Sequence, residues 1–144
     1  FKSTDGGENW VRTLGDNHWA TDLETDPTDF RRQYAALGSF SGDVNNGIYR
    51  SINAGSNWTF IDGPWRTKAG GAGRIELALA PSNPKALYVS VQDAANNSAN
   101  DNQLLGIWKT EDAWATPPVW VELTPLGSMM TERQWFYDHE LIVD

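Results

Sequence analysis

Ser3-Thr4-Asp5-Gly6-Gly7-Glu8-Asn9-Trp10 opens the chain, and Ser51-Ile52-Asn53-Ala54-Gly55-Ser56-Asn57-Trp58 repeats its spacing, S-x-[DN]-x-G-x-x-W. A third, decayed copy begins at Thr110-Glu111-Asp112, where Trp114 stands in place of the Gly and the closing aromatic slips to Trp120. The residues before each copy also align: Phe1-Lys2-Ser3, Tyr49-Arg50-Ser51 and Trp108-Lys109-Thr110 each give aromatic, basic, hydroxyl, and Gly47-Ile48 and Gly106-Ile107 extend the match upstream. A second landmark pairs Asp26-Pro27 and Tyr34-Ala35 with Ala80-Pro81 and Tyr88-Val89 without a gap.

Repeats of roughly 40 to 60 residues, each holding four short strand candidates, are the mark of β-propeller blades rather than helical solenoids. In the best-covered unit, residues 75–80, 86–91, 105–110 and 119–123 read as strands one to four, with Pro81-Ser82-Asn83-Pro84 turning the first corner. The fold expectation is therefore all-β, about two and a half four-stranded antiparallel blades of a larger ring. Residues 1–13 would end one blade, 17–62 and 73–124 would be complete blades, and 135–144 would begin the next. Because a blade buries its faces only against neighbours, the expected partners are the remaining blades.

Within each copy, Gly7 or Gly55 supplies the positive φ that a tight reversal needs. Ser3 or Ser51 and Asp5 or Asn53 offer oxygen acceptors to the turn amides, and Trp10 or Trp58 covers the turn; Thr110 and Asp112 keep the acceptors in the third copy. These are structural roles. The octapeptide resembles the Asp-box, or bacterial neuraminidase repeat, of sialidases, sortilin-type receptors and xyloglucan-degrading hydrolases. The stretches 73–81 and 137–144 are most similar to large secreted multi-blade bacterial proteins of this group. The resemblance implies a propeller fold and a secreted or cell-surface location, and it leaves the chemistry open because one fold hosts many functions.

Composition narrows the partners. With 11 Lys and Arg against 19 Asp and Glu, the net charge is -8, the wrong sign for a phosphate backbone, so nucleic acid is excluded. No apolar run is long enough to span a bilayer. The absence of Cys removes disulfides and thiolate chemistry.

Antiparallel blades put the repeated turns on one face and the longer connections on the other, and that second face is where a ligand is expected. It would present Trp19, Trp65, Arg66, Trp135 and Tyr137, aromatic faces beside charges and amides that suit glycan or peptide. The Asp- and Asn-rich stretch 93–102 offers oxygen ligands for a structural calcium but lacks ordered spacing, and no other cofactor or metal is expected. Five residues before each strand-one Pro stand Asp22 and Glu76, and Glu140 falls at the same register of the next unit. This recurring acid could serve glycoside chemistry, although pairing with Arg74, Arg133 or Lys68 is the commoner fate of such a carboxylate. The sequence thus favours a non-catalytic binding or scaffold segment that recognises glycan or protein. The alternatives are part of a glycoside hydrolase, xyloglucanase-like more than sialidase-like, or a sortilin-like peptide-binding propeller.

Overall fold

The computed structural model describes residues 1–15, 18–68, 71–94, 104–123 and 140–143. Its strands are β1 (Ala20–Thr25), β2 (Gln33–Leu37), β3 (Gly47–Ser51), β4 (Thr59–Ile61), β5 (Ala72–Leu79), β6 (Leu87–Asp93), β7 (Leu104–Thr110) and β8 (Val121–Glu122), with a 3-10 turn at Pro64–Thr67. They form two four-stranded antiparallel sheets, β1-β2-β3-β4 and β5-β6-β7-β8, each in chain order. The all-β, four-stranded expectation is met. Residues 1–15 add a hairpin reduced to one bridge, between Lys2 and Val11.

The strand limits differ from the sequence reading at informative places. β5 begins at Ala72, three residues before the expected 75, because an irregularity between Ala72 and Ile75 lets the chain pair with β6 before the regular ladder starts. β8 keeps only Val121–Glu122 of the expected 119–123. Pro117 and Pro118 have no amide to give a ladder, and the Trp120 indole turns away to donate to the Asp62 carbonyl at 3.0 Å.

The sheets meet face to face. Asp22, Ala36, Ile48 and Ile61 lie in one cross-strand row of the first sheet, and Leu77, Val89, Trp108 and Glu122 in one row of the second. Their apolar members share one core with Ile75, Leu79, Leu87 and Val91. Each such aliphatic side chain contributes about 1.5–3 kcal/mol when fully withdrawn from water. Trp65, delivered by the 3-10 turn, seals one end of the seam against Trp108 and Trp120, with ring centroids 5.5 and 5.0 Å away.

Backbone and polar contacts then set the spacing. A Cβ on Gly38 would stand 2.7 Å from the Ile75 amide nitrogen, so only Gly allows the chain after β2 to approach β5 this closely. Buried Asn46 donates to the Ala72 carbonyl at 2.8 Å, and buried Gln92 accepts from the Arg74 amide at 3.0 Å. The basic residue of the first two aromatic-basic-hydroxyl triplets reaches the following turn, whereas Lys109 of the third pairs with Glu111 of its own turn. Lys2 donates to Ser56 Oγ at 2.7 Å, and Arg50 donates to the carbonyls of Ala113 and Ala115 at 2.7 and 3.0 Å.

The repeated turns close as their chemistry requires. Ser51 Oγ accepts from the amides of Gly55 (2.9 Å) and Asn53 (3.2 Å), Asn53 Oδ1 accepts from the Asn57 amide (2.8 Å), and Gly55 sits at φ +74°. Ser3, Asp5 and Gly7 repeat this pattern, and the Trp10 and Trp58 indoles donate to the Gly7 and Gly55 carbonyls. Bonds from Asn9, its backbone amide foremost, hold the Asp5 carboxyl down at about 2.

Candidate functional site

Two constellations among the described residues bring polar and aromatic groups together. The first lies where β1 meets β5. Asp22 pairs with Ala36 while Ala20 pairs with Leu37, so Thr21 is an extra residue in β1. That bulge turns two consecutive side chains toward β5. Thr21 Oγ1 donates to the Ile75 carbonyl at 2.6 Å, and Asp22 Oδ2 accepts from the Leu77 amide at 2.7 Å. The free edge of β5 is thereby satisfied by side chains of β1 rather than by another strand.

Glu76, in the same register one repeat later, completes this site. It is buried, and Arg74 Nε donates to its Oε1 at 2.6 Å. Burial pushes the Glu76 carboxyl up to about 7 against the pull of Arg74, and the neighbouring Asp22 charge adds to the rise. Glu24 is raised as well, by burial first and Asp22 second. Of the recurring acids, Glu76 pairs with Arg74, while Asp22 accepts from the Leu77 and Leu23 amides. Glu140 is exposed and lies outside the named strands.

Glycoside hydrolysis needs two carboxyl groups about 5–10 Å apart so that a sugar bond and a nucleophile or water fit between them. Here Glu76 is engaged by Arg74 and Asp22 by the Leu77 and Leu23 amides, so both carboxyls already serve the packing of β1 on β5.

The second constellation is formed by the loops around residues 18–19 and 39–46. Trp19 is 60% exposed, and its ring leans on Phe40 at 5.5 Å between centroids. Beside it, Asp43 Oδ1 accepts from the Asn45 amide at 2.8 Å and from Asn45 Nδ2 at 3.0 Å, while Asn45 Nδ2 also meets His18 Nε2 at 3.1 Å. The bond from the Asn45 amide keeps the Asp43 carboxyl below its usual range. An open indole face next to a fixed set of short polar groups is the composition of a carbohydrate or peptide subsite.

The remaining predicted positions divide. Trp65, read as a rim aromatic, is corrected: it has no exposed surface, because Trp108 and Trp120 enclose it. Arg66 is partly exposed but stacks over Phe60 at 4.9 Å and lies 3.7 Å from Asp62. Lys68 pairs with Glu122 at 2.6 Å. Trp135, Tyr137 and Arg133 lie outside the described residues, as does the proposed calcium stretch except for Asp93 and Ala94. Among the described residues, no group of three or more acidic or imidazole side chains is placed to hold a metal, and no helix is long and apolar enough to cross a membrane.

The sequence reading missed Phe40, Asp43 and Asn45. The signal was available, since Asp43-Val44-Asn45 has the Asx-turn composition that folds a loop back on itself. It is a connection between strands two and three, equivalent to the 93–102 stretch of the second unit.

A separate cleft of about 480 Å³ lies between the 1–15 hairpin and the opposite face of the first sheet, lined by Phe1, Trp10, Leu23, Phe30, Leu37 and Trp58. Its walls are mostly apolar, and Leu23 and Phe30 are 60% and 69% exposed.

No family model matches the chain. A stretch of 109 residues is 32% identical to a xyloglucanase of Hypocrea jecorina (strain QM6a), covering 71% of this chain and 12% of that protein. A stretch of 108 residues is 32% identical to a xyloglucanase of a Paenibacillus species, covering 71% of this chain and 9% of that protein. The chain thus matches only a small part of the length of these relatives. Its two four-stranded antiparallel sheets are an all-β arrangement consistent with propeller blades, and its sequence is similar to part of these two xyloglucanases.

Proposed function

We propose that this chain is a non-catalytic, glycan-recognising segment of an Asp-box β-propeller belonging to a secreted or cell-surface protein. The observation that carries the reading is the exposed Trp19 face, backed by Phe40 and flanked by the hydrogen-bonded His18, Asp43 and Asn45. An indole stacks on the apolar face of a pyranose ring while the neighbouring carboxylate and amide select hydroxyl positions. The two relatives named xyloglucanase favour xyloglucan as the ligand to test. Support for the larger ring comes from the apolar cleft and from exposed Leu23 and Phe30, a sheet face that a neighbouring blade would cover.

A second reading, a working part of a glycoside hydrolase, is favoured by the names of the same relatives. It needs a carboxyl that is not already bound within the chain, as Glu76 is by Arg74 and Asp22 by the Leu77 and Leu23 amides. Calorimetric titration of the full chain with xyloglucan oligosaccharides, beside a reducing-end assay, separates the readings. Binding that Trp19→Ala reduces at least tenfold, with no new reducing ends, is the expected result. Turnover would overturn the non-catalytic reading, and undiminished binding by the Trp19 variant would overturn the site.

A further inference from the structure

We infer that Asp62-Gly63 is a self-modification site of the folded chain: the Gly63 nitrogen closes on the Asp62 side chain to a succinimide, which water reopens to aspartate or isoaspartate. Asp or Asn stands directly before Gly at three places, Asp5-Gly6, Asn46-Gly47 and Asp62-Gly63. Gly favours the closure because no Cβ crowds its nitrogen or limits the backbone angles that the ring needs. In an unstructured chain Asn46 reacts first, since ammonia leaves an amide more readily than water leaves a carboxyl group. The fold reverses that order.

Asn46 and Asp5 are both held by other partners. Buried Asn46 accepts from the Ser39 amide at 2.8 Å and donates to the Ser39 and Ala72 carbonyls at 2.9 and 2.8 Å, while Gly47 pairs with Leu37 in the β2–β3 ladder. Asp5 Oδ1 accepts from Ser3 Oγ at 2.8 Å and from the Asn9 amide at 3.0 Å, and its Oδ2 from Asn9 Nδ2 at 2.7 Å. Closure at either place first requires these bonds to open.

Asp62 is the opposite case. Its side chain is 74% exposed, and its Oδ1 accepts from the Gly63 amide at 2.9 Å, so the attacking nitrogen already lies against the carboxyl. Both residues stand between β4 and the 3-10 turn, where no ladder bond has to break. Arg66 Nε, 3.7 Å from the same oxygen, offsets the negative charge that builds on the carboxyl as nitrogen adds. The Gly63 nitrogen then bonds to Cγ, and one carboxyl oxygen departs as water, carrying the amide proton and one proton from solvent. Addition of water to the side-chain carbonyl restores Asp62, and addition to the main-chain carbonyl gives isoaspartate.

Two contacts tie the product to the packing of the sheets. A Cβ on Gly63 would overlap the Trp65 ring, so the packing itself requires the susceptible Gly. The Asp62 carbonyl accepts from the Trp120 indole at 3.0 Å. In isoaspartate the main chain runs through the side-chain carbon, one methylene longer, and that carbonyl becomes a free carboxylate off the chain path. The change therefore acts on the Trp65, Trp108 and Trp120 cluster that seals the seam.

The test is ageing of the full wild-type chain at neutral pH, followed by peptide mapping that separates isoaspartate from aspartate by mass spectrometry. Isoaspartate at position 62 is expected to accumulate several-fold faster than at position 5 and several-fold faster than deamidation at position 46. In urea, Asn46 should become the fastest of the three. The Trp120 indole N–H signal of the folded chain should shift in step with isoaspartate content, and Asp62→Glu should abolish the reaction at this position because it enlarges the ring that must close. Faster conversion of Asp5 or Asn46 than of Asp62 in the folded chain would overturn the site, and a denatured chain that keeps the folded order would overturn the role of the fold. Both outcomes are read from the wild-type chain, so the inference is decided even if the variant fails to fold.

Discussion

The turns at 51–58 and 110–120 occupy the same place in the two sheets and hold it by different means. In the first, Ser51 collects two turn amides, Gly55 adopts φ +74°, and the Trp58 indole closes on the turn it follows. In the second, Thr110 Oγ1 accepts from the Asp112 amide at 3.3 Å and Asp112 Oδ1 from the Trp114 amide at 2.9 Å, and no residue of the turn has a positive φ. Both still dock on the β1–β2 or β5–β6 corner of their own sheet. The Ala54 amide donates to the Arg31 carbonyl at 3.0 Å and the Ala113 amide to the Lys85 carbonyl at 2.9 Å. Released from the left-handed requirement, position 114 can bear a side chain, and its indole lies between Arg32 and Arg50 and beside Tyr34 at 5.3 Å. The decayed copy keeps two short turn bonds, drops the positive-φ closure and adds a contact between sheets.

The largest test of that contrast is Trp114→Gly, which restores the repeat's spacing yet should destabilise the chain by about 2–4 kcal/mol, because it removes the inter-sheet indole. Urea unfolding measures it, and a gain in stability would mean the third turn is only a degraded first. Gly38→Ala comes next, at about 1–3 kcal/mol, since the new methyl meets β5 backbone rather than a yielding side chain. Arg50→Ala should cost about 1.5–3 kcal/mol through its charge-assisted bonds to the third turn. Lys2→Ala, the same register on the exposed hairpin, should stay within about 0.5 kcal/mol. A double cycle of Arg50 with Trp114 should show coupling, and additivity would separate the two contacts. Ser51→Ala should cost about 1 kcal/mol, more than Lys2→Ala, and its backbone amide shifts should be confined to residues 51–58.

Much of this was legible in the residues. Repeat spacing announced four strands per unit, because turn chemistry is local: Gly supplies a dihedral and Ser or Asn an acceptor within a few residues. The register of Asp22 with Glu76 was also legible, since both are counted from a Pro that turns the same corner. That Asp22 would reach the edge of β5 beside Glu76 was not. It depends on a bulge at Thr21 that gives no sign in composition, and on two strands that are neighbours only after the sheets pack. Trp65 misled for the same reason. Gly, Pro and charged neighbours describe a loop, and a loop can fold inward when two other indoles, 43 and 55 residues on, enclose its ring.

By itself, then, the sequence determined the strands, the corners and the all-β class, which rest on interactions spanning a few residues. Only the tertiary structure decided which aromatic faces remain open, which carboxyls lie at the seam and which turn serves the neighbouring sheet. Those outcomes are set by burial and by distances across the seam, where dielectric, packing and charge depend on residues about fifty positions apart.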